Sequence, residues 1–454
     1  MKKNPRQALL LPLLTVRGVT FLAVGLIFPL LGVALDLPFN AVVTLCSLWL
    51  VLALVLFGSE WLKLSRTVQA LKVRLTLPGR LPALKAINAE VQVESRVSSD
   101  ATELMLRFAP VTGVRFVQPQ LNFMLQRRGT LVSQPLQIRP IMRGSVEIVN
   151  FDVRARLRRG HLTVQTALRL EPGVRTVVTP ASDGNDRRIR RSAIKYISGN
   201  RLFHYNAGEG REFDSLKYYS PGEDLRRVDW KRSARSDALL VRLYRPESHQ
   251  RVMIAIDCSR RMSTRVGERL YLDYAADAAA HLVQTAYRCS DQVGLLAFDH
   301  RRLCFRPCAQ GAAHAGKLLE ELTSIQPGDF EADYQIVAQC AAALRRRTML
   351  VLITSVSNSA AVESLCASLT RLKKKHLPLV LAIADRDLIA LNSEPARSIE
   401  EAFIISAANQ QITGLRTRLN GLARQGIECA YGDALELESL LERRYFQLKL
   451  GGRL

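Results

Sequence analysis

Two long uncharged apolar runs near the start constrain this chain more than any other feature. They cover residues 19–35 and 39–57, with three residues between them. As helices the runs reach about 25–29 Å, which is enough to cross the hydrocarbon core of a bilayer. Because the link is so short, the two helices must be antiparallel. The sequence therefore predicts a transmembrane hairpin, with a kink at Pro29 inside the first run.

The charges around these runs predict the orientation of the hairpin. The tip carries only Asp36, whereas basic residues flank both ends: Lys2, Lys3, Arg6 and Arg17 before it, and Lys63, Arg66, Lys72 and Arg74 after it. By the positive-inside rule, both ends face the cytoplasm. A cleaved signal peptide is the alternative. We disfavour it because no small-residue cleavage site follows the first run and a second spanning run comes at once.

The basic composition of the chain limits its partners. The formal net charge is +23 and the isoelectric point is about 10.1. Nucleic acid, an anionic membrane face or an acidic protein surface would each suit that charge. A membrane protein that faces the cytoplasm has a ready reason for basic excess, so we favour membrane lipid. The eight cysteines include no C-x-x-C pair, and most of them lie within apolar runs, where reduced cysteine packs as a small core residue. This favours a reducing compartment.

The rest of the chain predicts three further segments after the hairpin of residues 1–68. Residues 69–195 carry short alternating stretches broken by prolines, which indicates a β-rich, sandwich-like domain. Residues 196–249 hold a dense polar loop and a strand, and residues 250–454 alternate between strands and helices. Five runs are apolar throughout, as in a doubly wound, mostly parallel sheet. The predicted strands are 252–256, 293–298, 349–353, 378–384 and 427–431, with an antiparallel edge strand at 303–305; the predicted helices are 267–288, 311–325, 332–346, 360–375 and 407–425.

Residues 210–247 resemble a known family signature. They read G-R-E-F-D, then Y-S-P-G-E-D, then V-D-W and A-R before a strand. This closely resembles the pattern of the bacterial family called domain of unknown function 58, and residues 139–144, RPIMRG, resemble a second element of that family. The resemblance covers nearly the whole chain. It implies a von Willebrand factor type A-like fold after residue 250, partnership with a MoxR-type AAA+ ATPase, and a multi-pass protein of the bacterial inner membrane whose large soluble part is cytoplasmic.

The polar loop of residues 220–236, which we call the signature loop, supplies most of the predicted interaction residues. We expect Trp230 to be buried against the α/β domain, and Asp229 to be held by an arginine or a backbone amide. The exposed residues of the loop would then form a surface beside Asp257, which ends the first predicted strand of that domain. The complete predicted interaction set is Arg211, Gly222, Asp224, Arg226, Asp229, Trp230 and Arg235.

A metal-ion-dependent adhesion site is the main question that a type A-like fold raises. Such a site needs D-x-S-x-S after the first strand, a Thr from a second loop and an Asp after a later strand. Here Arg261 replaces the second Ser, Ala332 stands where Thr is expected, and Ser355 stands near the expected Asp. A guanidinium beside the first carboxylate can provide the positive charge itself. We therefore predict no bound metal and no cofactor, and the remnants of the site are Asp257, Ser259 and Asp333.

The predicted function is that of a membrane-anchored, non-catalytic adaptor. The sequence has no G-x-S-x-G, no P-loop and no H-E-x-x-H motif, so we predict that the chain is not an enzyme. The resemblance implies work with the ATPase in protein maturation or envelope processes. Two alternatives stay open. One is a membrane-associated nucleic-acid-binding protein, which we do not expect because few aromatic residues lie between the arginine patches. The other is a divalent-metal-dependent adhesion-type domain.

Overall fold

The computed structural model describes residues 11–35, 37–95, 102–125, 131–181, 212–220, 224–245, 250–355, 359–384, 391, 396 and 398–450. The chain divides into two compact units, Met1–Val178 and Thr179–Leu454. The first unit contains the apolar helices and the β-rich segment. The second contains the described part of the signature loop and the α/β segment.

Three helices open the first unit: α1 (Val16–Gly25), α2 (Ile27–Ala34) and α3 (Phe39–Gln69). The first apolar run is broken at Leu26, between α1 and α2. Pro29 explains the position of the break, because its ring clashes with the carbonyl four residues earlier, that of Gly25. Within the described residues, α3 is the one helix that is both long and apolar enough to cross a membrane.

The first apolar run packs antiparallel on α3 through close contacts. The Phe21 ring stacks on Trp49 with centroids 4.4 Å apart. Glycines allow this approach, because a Cβ on Gly25 would lie 2.4 Å from Trp49 Nε1 and one on Gly32 would lie 2.4 Å from Val42 Cγ2. The outward-facing leucines and valines of these helices are largely exposed. An apolar surface of this extent requires a covering, and the chain is therefore membrane-associated.

Two antiparallel sheets complete the first unit. The first sheet has the order β1-β10-β9-β5-β7 with β3 also on β10, and the second has the order β2-β4-β8-β6. Alternate residues of the strands are buried, as Leu104, Leu106 and Phe108 show on β5. Each sheet thus has one apolar face, as a sandwich requires. The strands are β1 (Leu11–Leu14), β2 (Leu71–Thr76), β3 (Arg80–Pro82), β4 (Ile87–Ser95), β5 (Thr102–Phe108), β6 (Val114–Phe116), β7 (Gln120–Leu125), β8 (Leu131–Pro140), β9 (Gly144–Leu157) and β10 (Leu162–Thr179).

The second unit is built on a six-stranded sheet of order β17-β16-β13-β18-β19-β20. Strands β16, β13, β18, β19 and β20 are parallel to their neighbours, and β17 is the antiparallel edge strand. A separate hairpin, β11 and β12, carries the signature loop. The strands are β11 (Glu212–Tyr218), β12 (Leu240–Arg245), β13 (Arg251–Asp257), β14 (Arg265–Val266), β15 (Arg269–Leu270), β16 (Gln292–Phe298), β17 (Arg302–Ala309), β18 (Met349–Thr354), β19 (Leu377–Ala384) and β20 (Glu428–Asp433).

Helices cover both faces of this sheet. The central strand shows why: Val252, Ile254 and Ile256 belong to one apolar cluster, and Met253 and Ala255 belong to another. Helices α5, α6 and α10 pack on the first face, and α7, α8 and α9 pack on the second. The helices are α4 (Trp230–Ser233), α5 (Tyr271–Arg288), α6 (Ala312–Ser324), α7 (Gln335–Ala342), α8 (Ser359–Leu372), α9 (Ile399–Arg424) and α10 (Leu437–Leu450).

The predicted mixed α/β class is confirmed, and the described strands overlap every predicted strand of the α/β segment. Helix α9 differs most, because it begins at Ile399 and not at residue 407. Its start is capped by Ser398, whose side chain accepts a hydrogen bond from the Glu401 amide at 3.1 Å. The signature loop also contains a short helix, α4, that the sequence did not predict.

Candidate interaction site

Asp257 ends the central strand β13 and lies at the carboxyl edge of the sheet, as predicted. Its side chain is fully buried. One carboxylate oxygen accepts a hydrogen bond from the Thr354 hydroxyl at 2.6 Å, and the other accepts one from the Ser259 amide at 2.8 Å. The Tyr334 hydroxyl lies 2.9 Å from the Thr354 hydroxyl. Because β13 and β18 are parallel neighbours, their ends bring Asp257 and Thr354 together. We call Asp257, Ser259, Thr354 and Tyr334 the edge network.

Burial decides the protonation of the edge network. It raises the pKa of Asp257, and the hydrogen bonds from Thr354 and Ser259 and the charge of Arg261 oppose the rise only in part. Burial and the neighbouring Asp257 carboxylate likewise raise the pKa of Tyr334. The network is therefore a sealed set of hydroxyl and carboxyl groups. It presents neither an exposed base nor an activated nucleophile to solvent.

Arginines lie outside this network and are tied to Glu331. The Arg261 Nε lies 2.8 Å from one Glu331 oxygen, and an Arg260 terminal nitrogen lies 2.8 Å from the other. Burial tends to raise the pKa of Glu331, but the hydrogen bonds and charges of the two arginines outweigh it and lower the pKa. The Arg260 amide also donates to the Phe330 carbonyl at 2.9 Å. These contacts fix the loop after β13 against the loop that precedes α7.

The residues at the sheet edge do not fit a bound divalent ion. Both Asp257 oxygens already accept hydrogen bonds, and Arg261 is a cation at a ligand position. Asp333 accepts a hydrogen bond from the Gln335 amide at 2.9 Å, at the start of α7. Ala332 packs against an apolar cluster and supplies no ligand oxygen from its side chain. Among the residues described, no three His, Cys, Asp or Glu side chains are grouped to hold a metal. Absence of bound metal in solution stays a prediction.

Asp229 anchors the signature loop, as predicted. It is 6% exposed. One carboxylate oxygen accepts from Arg242 Nε on β12 at 3.0 Å, and the other accepts from the Arg232 amide at 3.2 Å. Its own amide donates to the Leu240 carbonyl at 2.8 Å. The hydrogen bond from Arg242 is the main cause that lowers the pKa of Asp229. The aspartate therefore ties the loop to β12 as a charged group.

The prediction that Trp230 is a buried anchor is wrong. The Trp230 side chain is 62% exposed. Asp229 caps α4, and Ser233, four residues later, lies on the same inward side of the helix and accepts the Leu240 amide at 2.8 Å. Trp230 follows the cap by one residue and so points away from that side. The polar pair Asp229 and Ser233, not the indole, holds the loop.

The other predicted residues that the structure describes, Asp224, Arg226 and Arg235, are exposed. Asp224 accepts the Arg226 amide at 3.0 Å and so caps a short 3-10 turn. Arg211 and Gly222 lie outside the described residues. The sequence prediction missed two exposed apolar side chains, Tyr218 at 69% and Leu225 at 55% exposure. Their position in or beside the polar loop could have indicated that they belong to the interaction surface. We call Tyr218, Leu225 and Trp230, with the basic residues of the same segment, the Trp230 surface. Those basic residues are Arg226, Arg227, Lys231, Arg232 and Arg235.

Comparison with solved structures gives two matches of low identity. BatB from Bacteroides thetaiotaomicron is 16% identical, with 44% of this chain and 98% of that chain covered and a TM-score of 0.28. An aerotolerance-related membrane protein from Bacteroides fragilis, carrying multiple mutations to serines, is 18% identical, with 44% and 98% covered and a TM-score of 0.29. No curated protein matches the chain.

Comparison with protein families gives a specific match. Residues 215–394 match the family described as protein of unknown function DUF58. This segment holds most of the signature loop and continues past β19 of the sheet. The resemblance carried by residues 210–247 is thereby confirmed, and residues 215–394 are similar to the DUF58 family.

Proposed function

We propose that this chain is a membrane-anchored, non-catalytic interaction protein that captures a protein partner through the Trp230 surface. The exposure of Trp230 on an anchored loop carries the proposal. Tryptophan and arginine are the residues that most often dominate the energy of protein interfaces. A tryptophan held outward by the Asp229 and Arg242 pair is preorganised for contact, so little conformational entropy is lost on binding.

The edge network supports a binding role over a catalytic one. Open α/β sheets bind ligands at the carboxyl edge of their strands. In this chain the carboxylate at that position, Asp257, is buried and bonded to Thr354 and Ser259. A group of this kind stabilises the edge of the sheet, and the arginines outside it are paired with Glu331.

We also infer that the α/β segment has the doubly wound, von Willebrand factor type A-like fold that the resemblance implies. Parallel strands with helices on both faces support this. So does the position of Asp257 at the carboxyl end of the central strand. On this inference the signature hairpin of β11 and β12 is an addition that is specific to the family.

For location, we propose the bacterial inner membrane, with α1 and α2 crossing in one direction and α3 in the other. The basic residues on both flanks of the hairpin support a cytoplasmic position for both ends. A cysteine introduced near Asp36 should then react with an impermeant thiol reagent from outside the cell, and one near Gly184 should not. The opposite pattern of labelling would overturn this topology.

The partner that we propose is a MoxR-type AAA+ ATPase, which the family resemblance implies. The five basic residues around Trp230 require an acidic complementary face on that partner. The test is a pull-down from detergent extract with and without ATP, using the full chain. Trp230→Ala should abolish capture and leave the melting temperature unchanged.

Tyr287→Ala is the matched control for this pull-down, since Tyr287 is an exposed aromatic residue on α5, at 44% exposure, outside the signature loop. It should capture the partner as the wild type does. Full capture by Trp230→Ala, or equal loss in both variants, would refute the role of the Trp230 surface.

Nucleic-acid binding is the second candidate, because exposed aromatic rings among arginines also suit base stacking. We expect neither duplex nor single-stranded DNA to shift with the full chain at physiological salt. A shift that weakens steeply with added salt and is lost in Trp230→Ala would favour this candidate over protein capture.

A further inference from the structure

Strand β1 is an apolar edge strand that the described residues leave about half exposed. Leu11, Leu13 and Leu14 are 51%, 46% and 49% exposed. The strand pairs with the start of β10, where Leu14 lies opposite Leu162. A single residue, Thr15, separates it from α1. Exposed apolar edge strands are normally covered, because they otherwise promote aggregation. The residues that surround β1 indicate which kind of surface covers the strand.

The turn between β9 and β10 is hydrogen-bonded to both apolar helices, through Thr15 just before α1 and through Glu60 on α3. The Thr15 amide and hydroxyl each donate to the His161 carbonyl at 2.9 Å. On α3, one Glu60 oxygen accepts the His161 amide at 2.7 Å and the Leu162 amide at 3.0 Å. The other Glu60 oxygen lies 2.8 Å from His161 Nδ1. The turn and β1 are therefore held at a fixed level along the helices.

The turn lies at the level of the helices where the apolar run of α3 ends. The His161 ring lies 5.3 Å from the Phe21 ring and 6.1 Å from the Phe57 ring. Phe57 is the last residue of the uncharged run on α3, and Glu60 is the first charged residue after it. With these helices in a bilayer, the turn and β1 lie where hydrocarbon gives way to lipid headgroups.

Three exposed arginines lie at the same level. Arg17 is in the first turn of α1, and one of its terminal nitrogens lies 3.4 Å from the Arg158 carbonyl. Arg158 and Arg159 are exposed residues of the turn. The acidic neighbour, Glu60, is already engaged by His161 and Leu162. The local charge is thus positive beside an exposed apolar strand, and this is the pattern that anionic bilayer surfaces attract.

We propose that β1 and the β9–β10 turn form a docking face for anionic phospholipid. The leucines of β1 lie in the interfacial layer, and Arg17, Arg158 and Arg159 bind headgroup phosphates. The β-rich segment is thereby held against the bilayer by a surface additional to the spanning helices. This inference rests on the proposed membrane anchor.

The test uses the full chain in nanodiscs of phosphatidylcholine, alone or mixed with phosphatidylglycerol. Hydrogen exchange is measured for peptides that cover residues 11–15 and 157–162. Phosphatidylglycerol retained after a detergent wash is counted by mass spectrometry. The variant carries Arg158→Gln and Arg159→Gln. The matched control carries Arg74→Gln and Arg107→Gln, which remove the same charge from exposed positions on β2 and β5. A third variant carries Arg158→Lys and Arg159→Lys.

Phosphatidylglycerol should protect both peptides of the wild type relative to phosphatidylcholine alone. The glutamine variant should retain roughly 10- to 30-fold less phosphatidylglycerol, from about 1 kcal/mol per basic residue at an anionic surface. The control and the lysine variant should retain it as the wild type does. Equal protection in both discs, or equal retention by wild type and glutamine variant, overturns the docking face alone. A chain that does not enter nanodiscs overturns the membrane anchor and the docking face together.

Discussion

The α/β core and the signature loop both bury ionisable side chains, but they do so in opposite ways. In the core, burial dominates and raises the pKa of Asp257, which has hydroxyl and amide partners. In the loop, Asp229 is also largely buried, but its hydrogen bond with Arg242 outweighs the effect of burial and lowers its pKa. The core thus holds a carboxyl group where charge is disfavoured, and the loop holds one that must stay charged.

This difference indicates that the buried carboxyl group of the core serves stability, whereas the loop serves recognition. A group that packing covers on all sides stabilises the whole unit, and its loss is felt globally. A loop fixed by an ion pair to one strand can open locally while the sheet stays folded. The exposed Trp230 belongs to the second kind of region, which suits a binding role.

The largest expected effect concerns His281 in the core, on α5. Its ring nitrogens lie 3.0 Å from Glu438 and 3.4 Å from Glu442, both on α10. Burial lowers the pKa of His281, but the two glutamates outweigh it and raise the pKa from 6.5 to about 9. This stabilisation is complete below pH 6.5 and is lost as the pH rises through about 9. Its size is about 3 kcal/mol.

Thermal melting of the full chain in detergent across this pH range checks the prediction. His281→Gln should be less stable than the wild type below pH 6.5 and should approach it above about 9. Parallel curves for the two proteins at all pH values would show that His281 is not charged in the fold.

Asp257→Ala should have the next largest effect. It leaves the Thr354 hydroxyl and the Ser259 amide without their acceptor in a buried site. We expect a loss of about 2 kcal/mol in the free energy of unfolding. Asp257→Asn should lose less at neutral pH, because a neutral side chain suits a site that disfavours charge. If Asp257→Asn is as damaging as Asp257→Ala, the carboxylate is charged and the contrast with Asp229 fails.

Asp229→Asn should act locally. Hydrogen exchange should rise across residues 224–245, and the melting temperature should change less than in Asp257→Ala. Because the pKa of Asp229 is lowered, its contribution is present above the usual value of 3.8 and is lost as the pH falls through the folded value. The protection factors of the wild-type loop, which are corrected for the intrinsic pH dependence of exchange, should therefore fall only in acid. A loss of protection near neutral pH would contradict the ion pair.

Trp230→Ala should have the smallest effect on stability, within about 0.5 kcal/mol, as is usual for exposed positions. A clear fall in melting temperature would show that the indole packs against the fold in solution. Together with the pull-down, this measurement separates a surface that recognises a partner from one that only closes the loop.

The core was predictable from sequence because its strands are apolar on both faces. Val252 to Ile256 sends alternate side chains into two clusters, so the run has no polar residue to obscure it. The loop was less predictable. A large apolar side chain suggests burial, but α4 begins at Trp230 and its cap fixes which side faces inward. Strand β1 was missed because its apolar residues adjoin the first membrane run and its partner, β10, lies far along the chain.

The start of α9 was missed for a different reason. The signal was present in Ser398 and Glu401, which form an N-terminal cap. The first two turns of the helix bury almost nothing, and Phe403 is 73% exposed. A prediction based on apolar periodicity therefore begins only where the helix meets the sheet, near Ala408.

The unbroken course of α3 has a mechanical consequence. The helix runs for 31 residues without a break, while its partner is interrupted at Leu26. It is about 46 Å long, so it extends well beyond a hydrocarbon core of about 30 Å. Strand β2 begins two residues after its end. In the proposed membrane topology such a helix acts as a lever: a thinner bilayer would increase its tilt, and the added rotation would pass to the sheet that contains β2.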